Sequence, residues 1–182
     1  MAAVIRGWIG SLWWHRLIFA AVAVFLTVLR LLPIDTTAGH LPGPDILLCF
    51  ILAWMVRRPE YLPAPMIVAV VLAEDLLLMR PPGLWTAMVL MAAEFLRARA
   101  ALTRELNFSV EWLLVAGVMV AIFLANRLVL AMAFVPQPVF GYALVQIVWS
   151  VLAYPAVVAF SRYGLDLHKP AMGEIDANGR KM

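Results

Sequence analysis

The sequence predicts an all-α, polytopic membrane protein, and three observations carry that prediction. Of the 182 residues, 65% are hydrophobic and the mean hydropathy is +0.93, whereas soluble domains hold about 45–50% apolar residues. Charged residues, prolines and glycines cut the apolar sequence into six segments. Six spans of about 20 residues would take roughly 120 positions, and two tails with five loops would use the rest. That arithmetic leaves no room for a nucleotide-binding, DNA-binding or soluble enzyme domain. The expected organisation is a single six-helix transmembrane domain over 1–161, including an N-terminal interfacial helix at about 3–14, followed by a cytosolic tail over 162–182 whose charge, Gly and Pro content favours disorder.

In chain order, Val4, Ile5, Trp8, Ile9, Leu12 and Trp13 recur at helical spacing, which predicts the interfacial helix with tryptophans at headgroup level. Arg16 followed by Leu17 to Leu29 also fits the charged and apolar parts of an export signal, but no small-residue cleavage site follows closely. The six segments run from Arg16 to Leu32, Leu41 to Val56, Pro65 to Met79, Gly83 to Leu96, Val110 to Val135 and Val139 to Ser161. The second, third and fourth are short against a hydrocarbon core of ~30 Å and call for local thinning or shielding by protein. The fifth is long enough to tilt. In the sixth, Pro155 removes a backbone donor and should kink the helix.

The basic residues set the expected orientation. With the N-terminus in the cytoplasm, that side holds Arg6, Arg16, Arg57, Arg58, Arg97, Arg99, Arg104, Arg162, Lys169, Arg180 and Lys181, while the opposite loops hold Arg80 alone. Eleven against one is a positive-inside pattern with both termini cytoplasmic. The net charge of +3 therefore reads as topology, not as nucleic-acid binding.

Charge inside a membrane is the first place to look for function, since each buried ion costs ~2.5–3.5 kcal/mol on insertion scales. Arg30, Asp45, Glu74, Asp75, Arg80 and Arg127 all fall at outer-leaflet depth in this topology, as structural ion pairs or as the lining of a partner or ligand site. Glu74 and Asp75 are adjacent, so about 100° separates them around a helix. Glu94 and Arg97 have the spacing of a local pair. Tyr142, Gln146, Ser150 and Tyr154 form a polar stripe that must face protein or a wet cavity, and Gly117, Ala121 and Ala125 form a small-residue stripe for close helix contact, more naturally inside the fold than between subunits.

No G-x-S-x-G elbow, phosphate-binding loop or H-E-x-x-H motif is present. Asp45 and Asp75 would make an aspartyl-type pair only if they met. The lone Cys49 and the scattered His15, His40 and His168 have no metal-ligand spacing, so no cofactor or metal is expected.

Pro44-Asp45-Ile46-Leu47-Leu48, leading through an apolar run to Arg57-Arg58-Pro59, resembles the P-D-(apolar)-R-R-P signature of the rod shape-determining protein MreD family. Glu74-Asp75-Leu76-Leu77 with Pro82-Gly83-Leu84 resembles that family's next helix and turn, although Leu72-Ala73-Glu74 stands where the family tends to place glycine. The resemblance covers about Pro42 to Leu96. It implies a fold similar to the six-helix substrate-binding subunits of energy-coupling-factor transporters. It also implies a non-enzymatic inner-membrane subunit of the cell-elongation machinery, which works with MreC, a class B penicillin-binding transpeptidase and its glycosyltransferase, and indirectly the MreB filament. Membrane lipid is the other expected partner, self-association is open, and Arg57, Arg58, Arg97 and Arg99 are expected at the cytoplasmic face. The frame leaves one alternative, a vitamin-binding subunit of a membrane transporter.

Overall fold

A computed structural model describes residues 2–32, 42–104, 106–137, 139–165 and 167, with side chains of the first helix described from Leu12 onward. Seven α-helices and one 3₁₀ turn make up the described residues, with no strand among them. They are α1 (Ala2–Leu31), α2 (Ile46–Arg57), α3 (Ala64–Leu77), α4 (Leu84–Ala98), α5 (Ala100–Arg104), α6 (Phe108–Met132) and α7 (Phe140–Gly164), with the turn at Pro59–Tyr61.

The axis of the fold is α2. Its sequence, ILLCFILAWMVR, is apolar around its whole circumference, and every residue from Leu47 to Arg57 is buried. A helix of that kind stays in place only when other helices surround it. Packed against it are α1, α4, α5 and α7 together with the 3₁₀ turn. Helix α3 lies on α4, and α6 joins α4 to α7. Phe19 of α1 meets Trp54 of α2, and His15 stacks on Tyr61 of the 3₁₀ turn at 4.4 Å between ring centres.

Local chemistry sets the helix ends. The Asp45 carboxylate accepts the Leu48 N–H at 3.0 Å and caps α2, and Pro59 stops it beyond Arg58. Asn107 caps α6 through the Val110 N–H. Gly83, at φ +86°, supplies the left-handed turn before α4, a conformation that a Cβ would disfavour. Inside α7, Pro155 leaves the Val151 carbonyl without its helical donor, and the Trp112 indole N–H of α6 donates to it at 2.9 Å. The break in the ladder becomes a bond between helices.

Leu12–Leu31, Phe108–Met132 and Phe140–Gly164 are long and apolar enough to cross a membrane. The chain is an all-helical membrane protein with three such helices among the described residues. Helices α2, α3 and α4, with 12, 14 and 15 residues, reach about 18, 21 and 22 Å at 1.5 Å per residue.

Three expectations are corrected here. The interfacial helix expected at about 3–14 is not a separate element: the backbone runs as one helix from Ala2 to Leu31, because no Pro or Gly falls between Ser11 and Leu31 to stop it. The boundary expected at 161 moves outward, since α7 continues to Gly164 and the Leu167 N–H returns to the Ser161 carbonyl with the Leu167 side chain buried; residues 168–182 lie outside the described residues. Last, the small-residue stripe of α6 meets the core only at Ala125, which is partly buried against it. Glu111, Val115, Met119 and Ile122 form the buried face, whereas Gly117 and Ala121 are exposed, and a Cβ on Gly117 would meet nothing within 4 Å.

Candidate functional site

The Asp45 end of α2 gathers most of the charges singled out in the sequence. Helix α1 buries Phe19, Ala23 and Thr27 along one face, and one turn beyond them this face ends in Arg30. Its guanidinium pairs with Asp45 at 2.9 Å and with Glu74 of α3 at 2.5 Å. One cation thereby joins α1, α2 and α3. Asp45 has further bonds: its backbone N–H donates to Ser150 Oγ of α7 at 2.8 Å, and that hydroxyl donates to the Gln146 carbonyl. Cys49, one turn along α2, donates its thiol to the Ser150 carbonyl.

Asp75 faces elsewhere, as the angle between adjacent helical residues requires. It is fully buried against α4, where Thr86 donates to its Oδ2 from both Oγ1 (2.8 Å) and the backbone N–H (3.2 Å). Asp45 and Asp75 therefore have different partners and form no carboxylate pair. The Arg127 guanidinium lies over the Phe140 ring, and its carbonyl accepts from the Gln137 amide. Arg80 is half-buried just past α3, near enough for its charge to act on Glu74.

Beside this cluster lies a cavity of about 360 Å³. Asp45, Arg80 and Arg127 are its charged lining residues, and Tyr142, Gln146 and Ser150 of the polar stripe form one wall. Trp85, Met119, Phe123 and Leu130 contribute to the apolar lining. The stripe thus faces the cavity through its first three members and protein through Tyr154.

At the far end of α2 the stripe's last member joins a second cluster. Arg57 pairs with Glu111 of α6 at 2.7 Å, and the Tyr154 hydroxyl of α7 donates to the same carboxylate oxygen at 3.1 Å. All three residues are buried. Arg57 is consequently an interior residue, its side chain enclosed by its pair with Glu111 and not displayed on the surface. Glu111 escaped the sequence reading: in the first turn of a helix, four residues after its cap, an acid looks like an ordinary response to the helix dipole. The other three arginines expected at the cytoplasmic face are less enclosed. Arg58 reaches Glu60 at 3.4 Å, Arg97 pairs with Glu94 at 3.2 Å and donates to the Leu62 carbonyl, and Arg99 lies over the Phe95 ring.

Among the described residues, no three His, Cys, Asp or Glu side chains lie close enough together to hold a metal ion. Comparison of the chain with models of known families, with characterised proteins and with solved structures finds no match. The geometry alone therefore carries the functional reading.

Proposed function

We propose that the chain is a non-enzymatic membrane scaffold of the MreD type, lying in the bacterial inner membrane with six crossings and both termini in the cytoplasm. Its six main helices would form a frame similar to the substrate-binding subunits of energy-coupling-factor transporters. The observation that carries this reading is the use made of the motif charges. Asp45 and Arg57, at the two ends of the segment resembling the MreD signature, join α2 to α1 and α6 through internal ion pairs, which is what a rigid frame requires. The outward faces then remain for partners. On α6, Gly117 and Ala121 are flanked by the exposed Leu113, Val120 and Leu124, a surface that supports close docking of a single apolar helix. In this reading that helix belongs to MreC, and the complex positions the class B transpeptidase, its glycosyltransferase and, indirectly, the MreB filament. Co-purification with MreC from detergent and rounding of cells on depletion are the expected results. Normal rod shape after depletion, with no MreC retained, would falsify the reading.

The cavity favours a second reading, a subunit that binds a small molecule for a membrane transporter. It predicts ligand-dependent thermal stabilisation of the purified chain across a panel of vitamins, and a flat response throughout removes it.

A further inference from the structure

The cavity beside Asp45 has its charges engaged and its uncharged polar groups largely unused. At about 360 Å³ it falls within the ~300–1,000 Å³ of small-molecule sites. Of its charged lining residues, Asp45 pairs with Arg30, Arg80 acts by its charge on Glu74, and the Arg127 guanidinium lies over the Phe140 ring. By contrast, the lining residues Asn126 and Gln146 make no side-chain hydrogen bond among the described residues. Each carboxamide sets an N–H donor beside a C=O acceptor, the pattern that pairs with an amide edge. Gln137, on the same lining, is more specific. Its Nε2 donates to the Arg127 backbone carbonyl at 3.0 Å; a carbonyl only accepts, so the amide orientation is fixed and Oε1 is left as an acceptor. That oxygen is buried with no hydrogen-bond partner. It calls for an N–H or O–H, which an ionised carboxylate lacks. The rings of Trp85 and Phe123 also line the cavity and offer flat apolar area on which a planar ring can stack. At the edge, Met79 is itself a lining residue and Phe134 precedes the lining residue Val135, and both hold φ +54°. That conformation is unusual for residues other than glycine, and such strained backbone gathers at ligand sites.

We propose that this cavity binds an uncharged planar ring bearing an amide edge, an N–H beside a C=O as in a lactam or a cyclic urea. Asn126, Gln137 and Gln146 read that edge, and the ring face packs against Trp85 and Phe123. The proposal rests on the small-molecule reading above and names its ligand class. The two fail separately, since a vitamin without an amide edge can stabilise the chain thermally while a lactam probe does not bind. Retention of MreC, which tests the scaffold reading, is independent of both.

The test is calorimetric titration of the full chain in a neutral maltoside detergent with three probes of one ring size. Carbostyril is a planar lactam, its O-methyl ether keeps the rings but loses the N–H and the carbonyl, and quinaldate carries a carboxylate instead. Saturable binding of carbostyril is expected, with the ether and quinaldate each weaker by about tenfold or more. Asn126→Leu and Gln146→Leu should each weaken carbostyril binding about tenfold and leave the ether unchanged, a contrast that poor folding would not produce. The two substitutions lie on different helices, α6 and α7, so one reports even if the other folds poorly. Absence of saturable carbostyril binding, equal affinity for carbostyril and its ether, or tighter binding of quinaldate overturns the proposal. So does carbostyril binding unchanged in both leucine variants.

Discussion

The two ends of α2 solve the same problem in different ways. At one end Arg30 serves two carboxylates beside a cavity, with 22% of its side chain exposed. At the other, Arg57 and Glu111 are 7% and 1% exposed, and Tyr154 completes the closure. The helix between them is largely apolar, so its end charges, with the Cys49 thiol bond to α7, help to fix its position along its own axis and its rotation relative to its neighbours. A sealed pair loses most when one partner goes, because the survivor has no water to turn to. A pair beside a cavity loses less, because the opening can admit water or ions. The Arg57 end therefore behaves as a structural lock, and the Arg30 end, beside the cavity, is the more open of the two.

The largest expected effect comes from breaking the sealed end. Glu111→Ala should cost about 3–5 kcal/mol, seen as a lower thermal midpoint in detergent. Replacing both partners, Arg57→Leu with Glu111→Leu, should recover most of that loss, since no charge is then stranded. Arg30→Ala should fall at the low end of the same range, about 3 kcal/mol, because Asp45, one of the two carboxylates it strands, lines the cavity; a loss equal to that of Glu111→Ala would erase the distinction between the ends. Asp75→Ala removes the acceptor of two Thr86 hydrogen bonds and should cost about 1–3 kcal/mol, measurable both as stability and as partner retention. Trp112→Phe, which again leaves the Val151 carbonyl without a donor, should cost about 1 kcal/mol. The smallest effect is expected for Glu94→Ala, at about 0–1 kcal/mol, because its pair with Arg97 is partly exposed. If Glu94→Ala proved as damaging as Asp75→Ala, burial would not be what ranks these sites.

Much of this arrangement was legible from residue spacing. Five apolar segments correspond to α2, α3, α4, α6 and α7 within a few residues, and the first to the second half of α1, because Pro, Gly and charge mark helix ends through backbone geometry. The separate directions of Glu74 and Asp75 followed from helical periodicity, and the Asp45 cap from its place before an apolar run. Of the polar stripe, Ser150 and Tyr154 are buried, whereas Tyr142, on the cavity wall, is 47% exposed. Sequence could not show that its first three members line a cavity and that Tyr154 meets Glu111. Nor could it show that the Gly117 face turns outward, since small residues permit close contact without supplying a neighbour.

The sequence by itself determined that this chain is helical, that it carries apolar helices of membrane-crossing length, and where most of its helices begin and end. Those properties depend on composition, local backbone chemistry and periodicity along one helix. Only the tertiary structure decided that Arg30 would take both Asp45 and Glu74, that Arg57 would turn inward to Glu111, and that Arg80 and Arg127 would line a cavity. Charge pairing depends on which helices become neighbours and how each is rotated, and an all-apolar helix such as α2 has no preferred face until its neighbours supply one.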